Sequence, residues 1–139
     1  ARGGEALDVV QAMHSGHDGF MTVLHANTPH AALERLETLM LMSGLELPPA
    51  ACRMQIASAV DLGIHLARCA DGSRRITAIS QVLGVSEHGF DLEEIFTFDA
   101  SGFSTDGKLT GSLRYTGVRP KFLSKFQLAN VEIPAWVTV

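Results

Sequence analysis

Three observations on the sequence predict an α/β chain. Helical periodicity dominates residues 5–60, a short apolar run bounded by turn residues interrupts it at 20–25, and two-residue alternation begins at Leu62. The predicted order is helix, strand, helix, helix, then antiparallel strands and a short terminal helix. That is part of an α/β layer followed by a β-rich subregion.

Each element has a local reason. From Glu5 to about His14, the apolar residues Ala6, Val9, Val10 and Met13 fall at i, i+3, i+4 and i+7, an amphipathic helix that Ser15-Gly16-His17-Asp18-Gly19 ends. Phe20-Met21-Thr22-Val23-Leu24-His25 reads as a buried strand. Thr28 then caps a helix with Pro29 at its first position, where the missing N–H costs nothing. Its stripe is Ala32, Leu33, Leu36, Leu39 and Met40, and Gly44 stops it. Leu47-Pro48-Pro49 breaks the chain before a third helix from Ala50 to Val60, with Met54, Ile56, Ala57 and Val60 inward. Leu62, Ile64 and Leu66 alternate with Gly63, His65 and Ala67 as a strand, which turns at Asp71-Gly72-Ser73 and returns over Arg75 to Val85. Phe90 to Phe98 gives another strand. Residues 102–117 are polar and Gly-rich with Leu109, Leu113 and Tyr115 as anchors, and Pro120 opens a last short helix whose face is Phe122, Leu123 and Phe126.

Composition narrows the function classes. The 139 residues hold 11 Lys+Arg against 15 Asp+Glu, a formal net charge of −4, and 46% are hydrophobic. Such a chain is not a disordered tail and suits one domain. With no run of basic residues, it is not expected to bind nucleic acid non-specifically. No apolar stretch is long enough to span a bilayer. Cys52 and Cys69 lack CxxC spacing and read as two reduced structural thiols of a cytosolic protein, with a disulfide as the alternative. Ala1-Arg2-Gly3-Gly4-Glu5 is no signal peptide, and the expectation is a chain that begins inside a larger protein.

The histidines are the first chemical candidates. His14, His17 and His25 with Asp18 have ligand types that zinc accepts, but HxxH at a helix end is weak and no HExxH occurs, so no metal site is predicted. His25 sits where a strand gives way to a helix N-terminus, a place where phosphate is favoured. A histidine in a loop with no ligand is the alternative. No GxxxxGK[ST], GxGxxG or GxSxG occurs, so nothing in the chain cradles a triphosphate unaided.

Arg2-Gly3-Gly4-Glu5-Ala6, Gly16-His17-Asp18-Gly19, Thr22-Val23-Leu24-His25-Ala26-Asn27, Gln55 to Leu62 and Gly117-Val118-Arg119-Pro120-Lys121-Phe122-Leu123 together resemble the secretion traffic ATPases of type II and type IV systems. The branch they look most like is the CpaF-like Tad/Flp pilus-assembly ATPases. The resemblance runs almost end to end and is densest over residues 2–75. It implies the C-terminal part of a RecA-like P-loop ATPase domain over residues 1–139, lacking the P-loop half. The parent would be a homo-hexamer hydrolysing ATP with Mg2+, cytoplasmic and peripheral at the bacterial inner membrane, where it meets platform proteins of a pilus or secretion machine.

By the same resemblance Leu24-His25-Ala26-Asn27 is the His box, and His25 would lie near the γ-phosphate and couple nucleotide state to subunit movement. Arg2 matches the arginine that closes the Walker B segment, and Glu5 begins the next helix, as a nucleotide contact or simply as a first-turn acid. The Walker B glutamate, Asp box and P-loop have no counterpart here, so the chain alone is expected to be inactive and without a cofactor. His14 departs from the pattern, standing where Asn or a similar residue is expected. Arg53 is the candidate for a subunit interface; Arg35 is expected in a solvated i,i+4 ion pair, and Arg74 and Arg75 exposed after a turn. The competing class is a protein-binding or assembly module derived from such a motor, with no nucleotide chemistry.

Overall fold

A computed structural model describes residues 1–44 and 46–137. They form two compact units, Ala1–Asp61 with Val82–Leu92, and Leu62–Gln81 with Glu93–Val139. No linker separates the two, because the long strands β2 (Arg74–Ser86) and β3 (Gly89–Phe103) contribute residues to both.

The first unit is built on α1 (Ala6–His14), α2 (Pro29–Leu41) and α3 (Pro49–Ala59), which pack pairwise on one another. Its core joins Ala6, Val10, Leu33, Leu36, Met40, Cys52 and Ile56 to Val82 and Phe90. The start of α2 follows the expected chemistry: Pro29 occupies the first turn and the Thr28 hydroxyl accepts from the Ala31 N–H at 3.0 Å. Beyond its end, Gly44 adopts φ +83°, a left-handed conformation that favours glycine.

Two expectations for this unit are corrected. Residues 20–25 form no strand, because none of the four strands pairs with them. Extended chain becomes sheet only through a ladder. Burial nevertheless alternates from Met21 to Ala26, with Thr22, Leu24 and Ala26 half-buried and Met21, Val23 and His25 exposed. In α3, Met54 points outward at 68% exposure, and Cys52, one turn before Ile56, takes the inner position. The stripe that faces the core is Cys52, Ile56 and Ala57.

In the second unit the sheet order is β1-β2-β3-β4, with β1 at Leu62–Arg68 and β4 at Leu109–Tyr115. β1 runs antiparallel to β2, pairing Ile64 with Ile79 and Leu66 with Ile76 across a bulge at His65/Leu66. The apolar face of β1 is the exposed one, since Leu62, Ile64 and Leu66 alternate with the half-buried Gly63, His65 and Ala67. β4 pairs antiparallel with β3, and Leu109, Leu113 and Tyr115 share one face at a period of two. Gly111 lies so close to β3 that a Cβ there would collide with the Asp99 carbonyl and the Phe98 ring.

Arg75 is not the free arginine expected after the turn. Its guanidinium donates to the Leu109 carbonyl at 2.6 Å and lies 5.5 Å from the centre of the Phe98 ring. The last helix, α4 (Leu123–Leu128), also departs from expectation: Pro120 lies buried in the approach to it and does not open it. That approach is pinned by Gln81, whose side-chain oxygen accepts the Lys121 N–H at 2.8 Å. Phe96, Tyr115 and Trp136 make an aromatic cluster, with Trp136 centred 5.2 Å from Tyr115 and 5.9 Å from Phe96.

Candidate functional site

His25 is the residue around which a site is built. It ends the alternating stretch 21–26 and precedes the Thr28 cap by three residues, so the start of α2 determines where it stands. The residue is exposed, and its ring makes no hydrogen bond among the described residues. Its backbone, by contrast, is held. The Arg35 guanidinium reaches back from α2 and donates to the His25 carbonyl at 3.0 Å. Two residues upstream, the Val23 carbonyl accepts the backbone nitrogen of Ala1 at 2.7 Å.

That second bond brings the segment bearing Arg2 alongside residues 22–23, so two of the sequence candidates, Arg2 and His25, belong to adjoining stretches. Arg2 is exposed, and its backbone N–H donates to the Glu5 carboxylate at 2.6 Å. Glu5, the N-cap residue of α1, thus reaches back three residues into the segment before the helix, while the Ala6 N–H donates to the Gly3 carbonyl at 3.1 Å. The bond from Arg2 is the main reason that the Glu5 carboxyl is held below its ordinary range. Glu5 is therefore engaged at the N-cap of α1, one residue before the first turn, where Asp8 is the acid.

Arg53 is committed too. Its Nε donates to Glu37 at 2.8 Å, and Glu37 is only 8% exposed on the inner side of α2. A buried carboxylate without such a partner would be costly, so Arg53 has a structural task before any other. Burial, reinforced by the Glu37 charge, pushes the neighbouring Cys52 thiol upward, and both Cys52 and Cys69 are free thiols.

The other histidines do not join His25. His14 bonds through Nε2 to the Gln55 carbonyl at 2.9 Å and to the Ser58 hydroxyl at 3.2 Å, and His17 bonds through Nδ1 to the Ser15 hydroxyl. Among the described residues no three His, Cys, Asp or Glu side chains are placed to hold a metal ion. No helix among them is long and apolar enough to cross a membrane.

Arg35 is the residue that sequence reasoning undervalued. Among the described residues the expected i,i+4 ion pair does not form, because Ala31 and Leu39 occupy those positions and offer no carboxylate. The usable signal was the capped, proline-opened start of α2. Side chains on a helix lean toward its N-terminus, which aims a long residue two turns in at the segment just before the cap.

Comparison with known proteins bears on these residues as a set. Residues 1–102 match the family described as type II/IV secretion system protein. The chain is 41% identical over 78 residues to the type IV secretion system protein PtlH of Bordetella pertussis, covering 53% of this chain and 23% of that protein. It is 33% identical over 92 residues to the conjugal transfer protein TrbB of Rhizobium radiobacter, covering 66% of this chain and 27% of that one. With VirB11 of Brucella suis, a type IV secretion system protein, identity is 36% over 67 residues, covering 47% and 19%. The match thus spans about a quarter of the length of these relatives. It includes both the segment at Arg2 and the stretch around His25, and the chain belongs to the type II/IV secretion system protein family.

Proposed function

We propose that this chain is the C-terminal part of a secretion-system ATPase and contributes His25 to its nucleotide site. In this reading residues 1–61 belong to a RecA-like domain whose phosphate-binding half lies in the same longer protein. The observation that carries it is the state of His25: the ring is exposed and has no partner among the described residues, while Arg35 holds the His25 carbonyl and Ala1 the Val23 carbonyl just before it. Such a side chain is poised to meet a group from outside the chain. At the start of α2 the positive end of the helix dipole favours an anion such as a phosphate.

His25 would sense or orient the terminal phosphate, and Arg2, on the adjoining segment, would add positive charge. Phosphoryl transfer also needs a phosphate loop and a magnesium site. In this reading both belong to the other half of the longer protein, and no step is assigned to the ion. The working assembly in this reading is a homo-hexamer on the inner face of the inner membrane, engaged with platform proteins of a pilus or secretion machine. A Tad/Flp-type pilus motor is the branch favoured by the sequence words around His25.

The test is an ATPase assay on the longer native product and on the 139-residue chain. The longer protein should turn over ATP with magnesium, its His25→Ala variant should lose most of that turnover, and the short chain should be inert. Magnesium-dependent turnover by the pure short chain would sink the proposal. A second reading, an assembly module without nucleotide chemistry, is favoured by the exposed Met21 and Val23, 88% and 71% accessible beside His25. It gains if no longer product exists.

A further inference from the structure

We propose that Arg35 is the positioning residue for His25: it sets the direction in which the imidazole leaves the chain. In its effect on turnover this rests on the reading of His25 given above; as a structural statement it does not. The peptide plane that follows His25 is held by the guanidinium bond to its carbonyl, at 3.0 Å and ten residues distant in sequence. Holding that plane restrains ψ of His25 and, with the chain before it anchored at the Val23 carbonyl, narrows the range of the Cα–Cβ direction. A guanidinium donor makes the bond charge-assisted, stronger than a neutral one.

Three further facts support the assignment. Arg35 forms no ion pair among the described residues, and its i±4 neighbours, Ala31 and Leu39, carry no charge. The helix that carries Arg35 is anchored twice, by the Thr28 cap and by the buried Leu33, Leu36 and Met40, so the guanidinium acts from a rigid base. The imidazole has no partner among the described residues, so without Arg35 its direction would be left to an exposed turn.

The experiment has two arms. In the chain itself, Arg35→Ala, Arg35→Lys and the control Glu34→Gln are compared by 15N relaxation at residues 25–27. Arg35→Ala should lower the backbone order parameters there from about 0.85 toward about 0.6 or below, at unchanged helix content. Arg35→Lys should restore most of the order, and Glu34→Gln should have no effect. In the longer ATPase, Arg35→Ala should lower kcat by about 10- to 100-fold with KM within about twofold. Added to His25→Ala, it should cost nothing more, because the two residues act as one unit.

Unchanged order parameters at 25–27 in Arg35→Ala overturn the proposal, as does an Arg35→Ala penalty that persists in full on the His25→Ala background. If His25→Ala leaves turnover intact, the reading of His25 falls, and the relaxation arm alone decides whether Arg35 holds the backbone.

Discussion

Gln81 offers a test in which one substitution and its reversal probe a buried network. Its side chain is 1% exposed. Its amide nitrogen donates to Glu93 Oε2 at 2.8 Å and, at 3.4 Å, to the Arg119 carbonyl, while its oxygen accepts the Lys121 N–H. Gln81→Glu keeps the shape and the acceptor for Lys121 but sets a carboxylate against the Glu93 carboxylate. The lost bond to a charged partner is worth about 1.5–3 kcal/mol. Repulsion adds to this, but the pair can escape by binding a proton, which at pH 7 costs about 1.36 kcal/mol for each of the nearly three pH units above an ordinary glutamate. The penalty at pH 7 is therefore about 3–4 kcal/mol, roughly 10–15 °C in Tm.

The sign with pH follows from the same pair. A shared proton raises the folded-state pKa above the unfolded one, so the penalty is full at pH 7 and shrinks as pH falls toward about 4. Urea unfolding followed by Trp136, the single tryptophan, reads it out in the unit that holds Gln81. Exchanging the two groups in Gln81→Glu with Glu93→Gln restores a donor facing a carboxylate and should recover about half or more of the loss. The reasoning fails if Gln81→Glu lies within about 1 kcal/mol of the parent at pH 7. A penalty insensitive to pH, or a double variant no better than the single, refutes it equally.

Three more outcomes are expected. Ile56→Ala, at a fully buried position between the helices, should cost about 2–5 kcal/mol in a thermal melt followed by circular dichroism, and a loss below about 1 kcal/mol would contradict the packing. The Asp71 carboxyl accepts the Ser73 hydroxyl first, then the Leu109 and Ser73 N–H groups, which hold it at about 2 against an ordinary 3.8. Its contribution is thus present above pH 4 and lost as pH falls toward 2; Asp71→Asn should flatten that part of the urea-midpoint profile, and parallel profiles would refute it. Cys52 is wholly buried with its thiol pushed upward, whereas Cys69 is partly accessible, so a disulfide-exchange reagent should modify one thiol promptly and the second only on unfolding. Prompt reaction of both would refute the burial of Cys52.

Much of this structure was legible where the signal is local. Thr28-Pro29 forecast both the boundary and the cap of α2, because a hydroxyl acceptor and a proline ring act within one turn. The stripe of α2 was legible for the same reason, except at Glu37, whose burial depends on Arg53 sixteen residues away. Met54 and Cys52 were exchanged in the expected face of α3, since a short helix rich in Ala, Ser and Cys has little amphipathic contrast to orient it. Arg35 was misjudged because an i,i+4 pair was expected where Ala31 and Leu39 offer no carboxylate, and only the start of α2 reveals that a carbonyl lies close to hand.

The strands mark a deeper boundary to what sequence pattern can say. A period of two states that a segment has two unlike faces; it does not state what covers either face or whether a neighbour lies alongside. In β1 the alternation was read correctly, yet the apolar residues Leu62, Ile64 and Leu66 turned out to be on the exposed side. Residues 21–26 show the same alternation in burial with no ladder at all. Both facts have one physical origin: pairing and covering are long-range choices, made by whatever chain arrives with complementary N–H, C=O and apolar surface. His25 lies at the end of just such an alternating segment, and for that reason its backbone anchors, Arg35 above all, say more about its task than the pattern that leads up to it.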